Sequence, residues 1–477
     1  MSIFTPGRRW QPPFFPFKKE KFGKRLLRKI ELWVKGPLFG CRMCGNCLLQ
    51  ETAFICSMEC PKGMRNGPCG GASAKKCYVD ETRPCIWYSI YKQAFKKGRE
   101  EKLLEVLPPL DWDKVGTETW GDVIRQIRKY GSGKFVKSLF SRDKVTKIIA
   151  WEGVFKPVRQ PEWWNGDAEY HPAAYKEAVS NLERELRSGK FVITTEVAPP
   201  LGAATGKLER DIKMVKDYVA AINFTDNASA SPRMSSIACS KIAVSLGADP
   251  VLQVAARDRT RIGLQAEIVG ANAMGIHNIL CISGDNARIG PPPTSNTNIL
   301  DVDAVQMLWI LRKMKDEGSY LDGRKMKFPP KLFLGAAASP FASEPEFQAL
   351  REQKKVNAGA QFFQTNLIFD PQGLDNWLEE IYKRNFLDKV YILAGVAPVK
   401  SLQMARYLHY QVPGVKLTED ILSRFEQTKE TSYEELGIHI CLEIIDKIKD
   451  KQGINGLHIM SVGWESVVPR IINESGL

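Results

Sequence analysis

Short apolar runs that alternate with amphipathic stretches form the most regular pattern in the chain, and this pattern begins near residue 176. The runs are rich in β-branched and aliphatic side chains and are continuous, which is typical of strands buried on both faces of a parallel sheet. Eight such runs predict eight strands, at residues 191–197, 221–225, 250–255, 278–283, 331–337, 360–367, 389–395 and 456–462.

Between these runs, apolar side chains recur at helical spacing. The pattern predicts helices at residues 207–218, 234–246, 263–274, 302–314, 344–358, 374–384, 401–409 and 431–449. Eight strand-and-helix units over about 300 residues match the size of a (β/α)8 TIM barrel, an α/β fold. A doubly wound open sheet is the alternative for the same elements.

Polar side chains follow the predicted strands where each strand ends, which is where barrel enzymes place their functional groups. Any one of these residues fits a helix cap or a satisfied core polar group, but together they predict a polar site. They are Glu196, Asn223, Thr225, Asp226, Asn227, Gln253, Ser283, Asp285, Gln364, Thr365 and Asn366. Partial burial of Glu196 would raise the pKa of its carboxyl and make it a general acid.

Eight of the eleven cysteines lie upstream of the predicted barrel. They are Cys41, Cys44, Cys47, Cys56, Cys60, Cys69, Cys77 and Cys85. Two-residue gaps let thiolates converge on one metal, and a cysteine followed by proline often completes an iron-sulfur ligand set. The spacing favours [4Fe-4S] clusters, with zinc and then disulfides as alternatives.

The chain has 477 residues and a net charge of +14, and more than half of that excess lies in residues 1–35. Aromatic and proline residues interleave this basic arm, which favours docking on a partner protein over binding nucleic acid; a tail wrapped on its own domain and contact with an anionic membrane are the alternatives. The predicted domains are the arm at 1–35, a cysteine-rich metal-binding domain at 36–107, a connector at 108–175 and the barrel at 176–477.

Isolated cysteines in apolar surroundings, together with a start that lacks a signal-peptide pattern, predict a reducing cytoplasm. These cysteines are Cys239, Cys281 and Cys441. No stretch approaches the ~20 apolar residues that a transmembrane helix needs. We also expect an oligomer or a complex subunit.

The barrel region resembles methylenetetrahydrofolate reductase, a flavin-dependent barrel enzyme, through an ordered set of short motifs over about residues 180–475. The motifs are Glu-x-x-Pro-Pro at 196–200, Gly-Asp at 284–285, Lys-Val-x-Ala-Gly-Ala at 355–360, Phe-Phe-x-Thr-polar at 362–366, Phe-Asp at 369–370 and Gly-x-x-Pro-Val at 395–399. The cysteine-rich segment separately resembles a small companion subunit of this reductase in some anaerobic bacteria, described as binding zinc or iron-sulfur clusters.

The resemblance implies that 5,10-methylenetetrahydrofolate is reduced to 5-methyltetrahydrofolate. Glu196 would protonate the bridging amine of the folate, opening the ring to an iminium, and a reduced flavin would supply hydride. Asp285 would lie near flavin and pterin and stabilise the developing cation. The implied flavin-binding residues are Thr225, Asp226, Gln253, Gly284, Asp285 and Lys355, and the implied substrate-binding residues are Gln364 and Asn366.

Three positions depart from the family pattern. Gln253 replaces a histidine that faces the flavin, Ser283 replaces an arginine, and Asn366 replaces a substrate-binding glutamine. The first two changes leave the flavin as FAD or FMN and put direct use of NAD(P)H in doubt. Clusters in the cysteine-rich domain would then pass electrons to the flavin. The alternatives are an electron-transfer scaffold of a larger redox complex and a pterin-binding methyl-transfer protein.

Overall fold

The computed structural model describes residues 16–70, 76–287, 290–291, 300–412 and 414–477. The chain divides into two compact units. The amino-terminal unit comprises Met1–Pro68 and Ile86–Asp167, and the barrel unit comprises Cys69–Cys85 and Ala168–Leu477. The chain therefore leaves the first unit for the segment Cys69–Cys85, returns, and enters the barrel after Asp167.

The barrel unit contains eight parallel strands in the order of the sequence. They are β1 (Val192–Glu196), β2 (Ala221–Phe224), β3 (Pro250–Ala255), β4 (Asn278–Ile282), β5 (Phe333–Ala338), β6 (Phe362–Leu367), β7 (Tyr391–Val396) and β8 (Gly456–Ile459). β8 pairs with β1 through Thr194 and His458, which closes the sheet. The predicted TIM barrel is confirmed, and the open-sheet alternative is excluded by this closing pair.

Helices follow the strands around the barrel. The bounds of the barrel-unit helices are α6 (Asn181–Arg187), α7 (Gly206–Val215), α8 (Ser236–Ser245), α9 (Arg261–Ala273), α10 (Ala304–Glu317), α11 (Pro345–Ala358), α12 (Pro371–Lys383), α13 (Leu402–Tyr410), α14 (Glu419–Gln427), α15 (Tyr433–Ile448) and α16 (Val468–Ser475). All eight helices predicted in this region are present, whereas α6, α14 and α16 were not predicted.

The interior of the barrel is apolar at the N-terminal ends of the strands. Val192, Val251, Leu280 and Phe362 pack there with Leu182 and Leu186 of α6, so this short helix closes that end. Phe333 and Phe362 stack with ring centroids 4.8 Å apart. Gly335 leaves room for this stack, because a Cβ at its position would lie 2.2 Å from the Phe362 ring. Polar chemistry is thereby restricted to the opposite end of the strands.

The amino-terminal unit is mainly helical. Its helices are α1 (Phe22–Phe39), α2 (Ile86–Lys96), α3 (Trp120–Tyr130), α4 (Ser132–Leu139) and α5 (Lys144–Arg159). The predicted connector thus contains three helices, α3 to α5. Buried polar side chains tie the cysteine-rich region to the residues after α2, since Arg65 donates to the Pro108 carbonyl over 2.8 Å and Asn66 to the Leu107 carbonyl over 3.0 Å.

Part of the basic arm lies outside the described residues, which begin at residue 16. The described part packs within its own unit. Arg28 pairs with Glu20 at 2.7 Å and donates to the Gly116 carbonyl, and Glu31 accepts from the Thr119 amide over 2.7 Å. Among the helices of the described ranges, none is long and apolar enough to cross a membrane.

Candidate active site

Glu196 is the last residue of β1, at the C-terminal end of the barrel, and its side chain is partly buried. Burial raises the pKa of Glu196 to about 7, and the neighbouring charge of Glu465 adds to the effect. A carboxyl with this pKa is protonated in about half of the molecules at neutral pH. It is therefore suited to donate a proton, as the sequence predicted from its position at the end of an apolar strand.

A buried polar layer lies one step below Glu196 in the barrel. Gln364 of β6 exchanges two hydrogen bonds with Asn223 of β2, at 2.6 and 3.0 Å. Thr194 of β1 lies 3.0 Å from Nδ1 of His458, and the Gln364 amide lies 3.4 Å from the same nitrogen. Burial lowers the pKa of His458 to about 3, so its imidazole is neutral.

The hydrogen bonds of this layer occupy the side-chain amide of Gln364. Its side-chain oxygen accepts from Asn223, and its amide nitrogen has three partners within the layer. His458 is buried and also joins this hydrogen-bond network. The network links β1, β2, β6 and β8 across the barrel and supports the rim above it.

Gly284 and Asp285 follow β4. Gly284 adopts a left-handed conformation with φ 72°, and a Cβ there would lie 3.0 Å from the Ala255 Cβ, so the turn requires glycine. Asp285 Oδ2 accepts from the Ser229 backbone amide over 2.8 Å, and Oδ1 accepts from the Tyr78 hydroxyl over 3.3 Å. Both carboxylate oxygens of Asp285 therefore have defined donors.

Tyr78 belongs to the segment Cys69–Cys85, which forms part of the barrel unit. Burial raises the pKa of the Tyr78 phenol well above its usual range, and the negative charge of Asp285 raises it further. The phenol is therefore a hydrogen-bond donor over the whole neutral pH range. Sequence reasoning did not find Tyr78, because no local pattern reveals a contact across more than two hundred residues.

Three predicted flavin-binding residues lie after β2 and in β3. Asp226 is buried, accepts from the Ala255 amide over 2.8 Å and pairs with Arg259. Burial raises the pKa of Asp226, although the Arg259 charge opposes this shift. Within the described ranges, neither the Thr225 hydroxyl nor the Gln253 side-chain amide has a hydrogen-bond partner in the protein, so both can bind a polar ligand.

Lys355 lies in α11 with its ammonium group buried. It pairs with Glu352 at 2.6 Å and also donates to the Ala337 carbonyl at the end of β5. Burial lowers the pKa of Lys355 to about 8 despite Glu352. Asn366, in β6, is partly buried and accepts from the Leu367 amide over 3.2 Å. The structure thus leaves Asn366 nearer to solvent than Gln364.

A separate candidate metal centre lies in the amino-terminal unit. Cys41, Cys44, Cys47 and Cys56 line one cavity of about 20 Å³. Lys35 reaches the same cavity, with its ammonium 3.8 Å from the Cys47 sulfur and 2.5 Å from Glu31. Burial raises the pKa of the Cys56 thiol to about 12, and the nearby Cys44 and Cys47 contribute. Without a metal the Cys56 thiol therefore stays protonated at neutral pH.

The other four predicted ligands are divided between the two units. Cys60 lies in the amino-terminal unit, whereas Cys69, Cys77 and Cys85 belong to the barrel unit. None of the eleven cysteines, which all lie within the described ranges, forms a disulfide. In the described part of the chain, no three Cys, His, Asp or Glu side chains already stand at the spacing of a bound metal ion.

A cavity of about 270 Å³ lies at the opposite end of the barrel, where Phe333, Gln361 and Asn455 precede or begin strands. In barrels of this type that end contributes stability. The candidate active site is therefore placed by the rim residues and not by this cavity.

Comparisons with known proteins agree with this architecture. A model of the methylenetetrahydrofolate reductase family matches residues 181–476, more than half of the chain. A second model, described as the C-terminal part of methylene-tetrahydrofolate reductase, matches residues 24–113, here on the amino-terminal side of the barrel. No curated protein matches the chain.

Two solved structures overlap with the chain at low sequence identity. An uncharacterized protein from Clostridium thermocellum that binds two copies of 5-methyl-5,6,7,8-tetrahydrofolic acid is 14% identical, with a TM-score of 0.42, over 62% of this chain and 97% of that one. An F420-dependent secondary alcohol dehydrogenase is 12% identical, with a TM-score of 0.39, over 59% and 99%. From the family match over the barrel and its rim, the chain belongs to the methylenetetrahydrofolate reductase family.

Proposed function

We propose that this chain reduces 5,10-methylenetetrahydrofolate to 5-methyltetrahydrofolate at the C-terminal rim of its barrel. The observation that carries the proposal is Glu196, a partly buried carboxyl with a pKa of about 7 at the end of β1. A general acid works best when its pKa lies near the working pH. Membership of the family gives this acid its substrate class.

In the proposed reaction, protonated Glu196 donates to the bridging amine of the folate, and the ring opens to an iminium. Asp285 stabilises the positive charge that develops, because its carboxylate is oriented by two donors before the substrate arrives. Asn366 contacts the substrate, and Gln364 supports the rim from within the polar layer.

The rim residues fit a bound flavin. Among the described residues the Thr225 and Gln253 side chains have no hydrogen-bond partner in the protein, and Gly284 forms a left-handed turn after β4. When bound, FAD or FMN supplies the hydride that the substrate carbon receives. Thr225, Asp226, Gln253, Gly284, Asp285 and Lys355 are the proposed binding residues. Lys355 would contact a flavin phosphate only by leaving its pair with Glu352.

We further propose that the eight clustered cysteines hold [4Fe-4S] clusters, with zinc as the alternative. Four thiols around one small cavity fit a four-thiolate site. The buried Lys35 ammonium offsets the negative charge that such a site carries. Metal analysis after anaerobic purification tests this directly, and stoichiometric zinc without iron would reject an electron relay through this unit.

The proposed electron donor is a partner protein with an acidic surface. One side of α1 exposes Phe22, Leu26, Ile30 and Trp33, with Trp33 76% exposed. Lys24, Arg25 and Lys29 lie on the same helix, and Lys21 immediately precedes it. An apolar stripe bordered by basic side chains fits an acidic protein whose docking face has an apolar centre.

The predicted domain boundaries stay a prediction. They divide the chain into the arm at 1–35, the cysteine-rich domain at 36–107, the connector at 108–175 and the barrel at 176–477.

The substitution Glu196→Gln tests the function. The variant should keep its flavin and lose reduction of methylenetetrahydrofolate by about 100-fold or more, because the amide cannot donate a carboxyl proton. Glu379→Gln is a matched control, since Glu379 is exposed and pairs only with Lys383 among the described residues. Turnover by Glu196→Gln at the wild-type rate rejects the assignment. A colourless protein without flavin favours a methyl-transfer protein, and flavin without turnover favours an electron-transfer scaffold.

A further inference from the structure

The described residues of the segment Cys69–Cys85, which are 69–70 and 76–85, contact the C-terminal side of the barrel. A Cβ placed on Gly70 would lie 3.4 Å from the Ser339 hydroxyl oxygen, just after β5. A Cβ placed on Gly414, beyond α13, would lie 3.3 Å from the Gly70 carbonyl oxygen. Tyr78 touches the loop after β4 through Asp285. Two loops that follow barrel strands, and the loop between α13 and α14, therefore approach this one segment.

Asp285 is the residue that this contact affects most. Its Oδ2 is fixed by the Ser229 backbone amide, and the only described donor to Oδ1 is the Tyr78 hydroxyl. The Asp285 backbone carbonyl also accepts from Arg257 over 3.1 Å, which anchors the main chain but does not orient the carboxylate. Without the phenol, one carboxylate oxygen would lose its donor and its fixed direction.

We propose that Tyr78 is a positioning residue for the reaction at the barrel rim, and that the cysteine-rich segment thereby completes the active site. The inference rests on the proposed function, because it assigns Asp285 a role in folate reduction. Even a phenol with an ordinary pKa near 10 is protonated at neutral pH, so the Tyr78 hydroxyl can donate a charge-assisted hydrogen bond to the Asp285 carboxylate. Holding that carboxylate in one direction preserves its interaction with the developing cation.

The test is a double-mutant cycle on the full chain with its bound cofactors. Tyr78→Phe keeps the ring and removes only the hydroxyl, and Asp285→Asn removes the charge that the hydroxyl orients. Tyr382→Phe is the matched control, because Tyr382 is 69% exposed on α12. Single-turnover conversion of methylenetetrahydrofolate by the chemically pre-reduced protein gives the rate, and steady-state assays give kcat and KM.

We expect Tyr78→Phe to lower kcat about tenfold with KM changed less than about twofold, the pattern of an interaction used in the transition state. In a protein that already carries Asp285→Asn, Tyr78→Phe should lower kcat less than about twofold, because the two residues act through one contact. Flavin content and thermal stability should match the wild type, and Tyr382→Phe should be unchanged.

Three results would overturn the inference. The first is a normal kcat for Tyr78→Phe beside an active wild type, which leaves the proposed function intact. The second is an equal loss in both backgrounds, which means that Tyr78 acts independently of Asp285. The third is a wild-type protein without folate turnover, which removes the proposed function and the positioning role together. If Asp285→Asn is too slow to follow, the kcat and KM of Tyr78→Phe decide alone.

Discussion

At the scale of single residues, burial sets the charge state of Glu196. Its pKa of about 7 lies above the ordinary value of 4.5, so the folded protein keeps a proton there that the unfolded chain releases. Activity that depends on the protonated carboxyl should be full below pH 6, half-maximal near pH 7 and about tenfold lower for each further unit above pH 8. Single-turnover rates between pH 5.5 and 9 measure this, and a rate that rises with pH would contradict the assignment.

The buried imidazole of His458 makes the stability of the protein depend on pH in the direction opposite to that of Glu196. Its pKa falls from 6.5 to about 3 on folding, so the unfolded chain binds more protons between these values and stability is lost as the pH falls below 6.5. His458→Gln should lose stability at pH 7.5, because the polar layer is disturbed, but should recover about 2 to 3 kcal/mol relative to wild type at pH 4.5. Urea denaturation of both proteins at the two pH values measures the change, and an equal difference at both would refute it.

At the scale of elements, closure of the barrel depends on Gly456 at the start of β8. A Cβ at this position would lie 2.0 Å from the Val192 carbonyl oxygen, which is backbone of the neighbouring β1 and cannot move aside. Gly456→Ala should therefore destabilise the protein by about 2 to 3 kcal/mol. Gly270→Ala in α9 is the control, since a Cβ there meets nothing within 4 Å and alanine favours the helix by about 0.5 to 1 kcal/mol. Opposite shifts of the denaturation midpoint are expected, and shifts of the same sign would contradict the account.

The cysteine cavity of the amino-terminal unit allows another prediction at this scale. Cys47→Ala should remove the metal bound at the cavity, because a four-thiolate site loses a ligand and Lys35 then lies beside an incomplete set. Cys239→Ala is the control, since this buried thiol of α8 is isolated from the cluster. Iron and zinc per chain, measured by plasma mass spectrometry after anaerobic purification, should fall only in the first variant. Unchanged metal content in Cys47→Ala would place the metal elsewhere.

The sequence predicted the barrel well because its strands are buried on both faces. Each predicted strand overlaps an observed one, and 250–255 coincides with β3. The short helices were harder to predict. α14 was missed although Thr418 caps it and two acidic residues fill its first turn, and α6 was missed because seven residues give little periodicity. The helices α3 to α5 were not predicted, because tryptophan and proline residues interrupt the helical pattern of the segment 108–175, which was interpreted as a connector.

At the scale of the whole molecule, the candidate site contains residues that local sequence motifs predict and contacts between residues far apart in the sequence, which such motifs do not predict. Glu196, Gly284 and Asp285 could be predicted because they end or follow strands in a recognisable order. The Arg259 pair with Asp226, the His458 network and the Tyr78 contact with Asp285 depend on folding. Such partners leave no periodic signal, and only the closed barrel brings them together.

At this scale the clustered cysteines divide between the two units of the chain. Four of the clustered cysteines line one cavity of the amino-terminal unit, whereas Cys69, Cys77 and Cys85 belong to the barrel unit. The sequence suggested one continuous cysteine-rich domain at 36–107, and this boundary stays a prediction. Tyr78 lies in the same segment as this second group and contacts Asp285, so we expect the segment to influence the proposed reaction site.

The most direct test of the central claim is a single turnover without any partner protein. The purified chain is reduced chemically under anaerobic conditions, mixed with 5,10-methylenetetrahydrofolate, and the folates are separated by chromatography. We expect one equivalent of 5-methyltetrahydrofolate per bound flavin from the wild type and from Glu379→Gln, and almost none from Glu196→Gln. A flavin-loaded wild type that forms no methyl product, or a Glu196→Gln variant that forms it at the wild-type rate, would contradict the account.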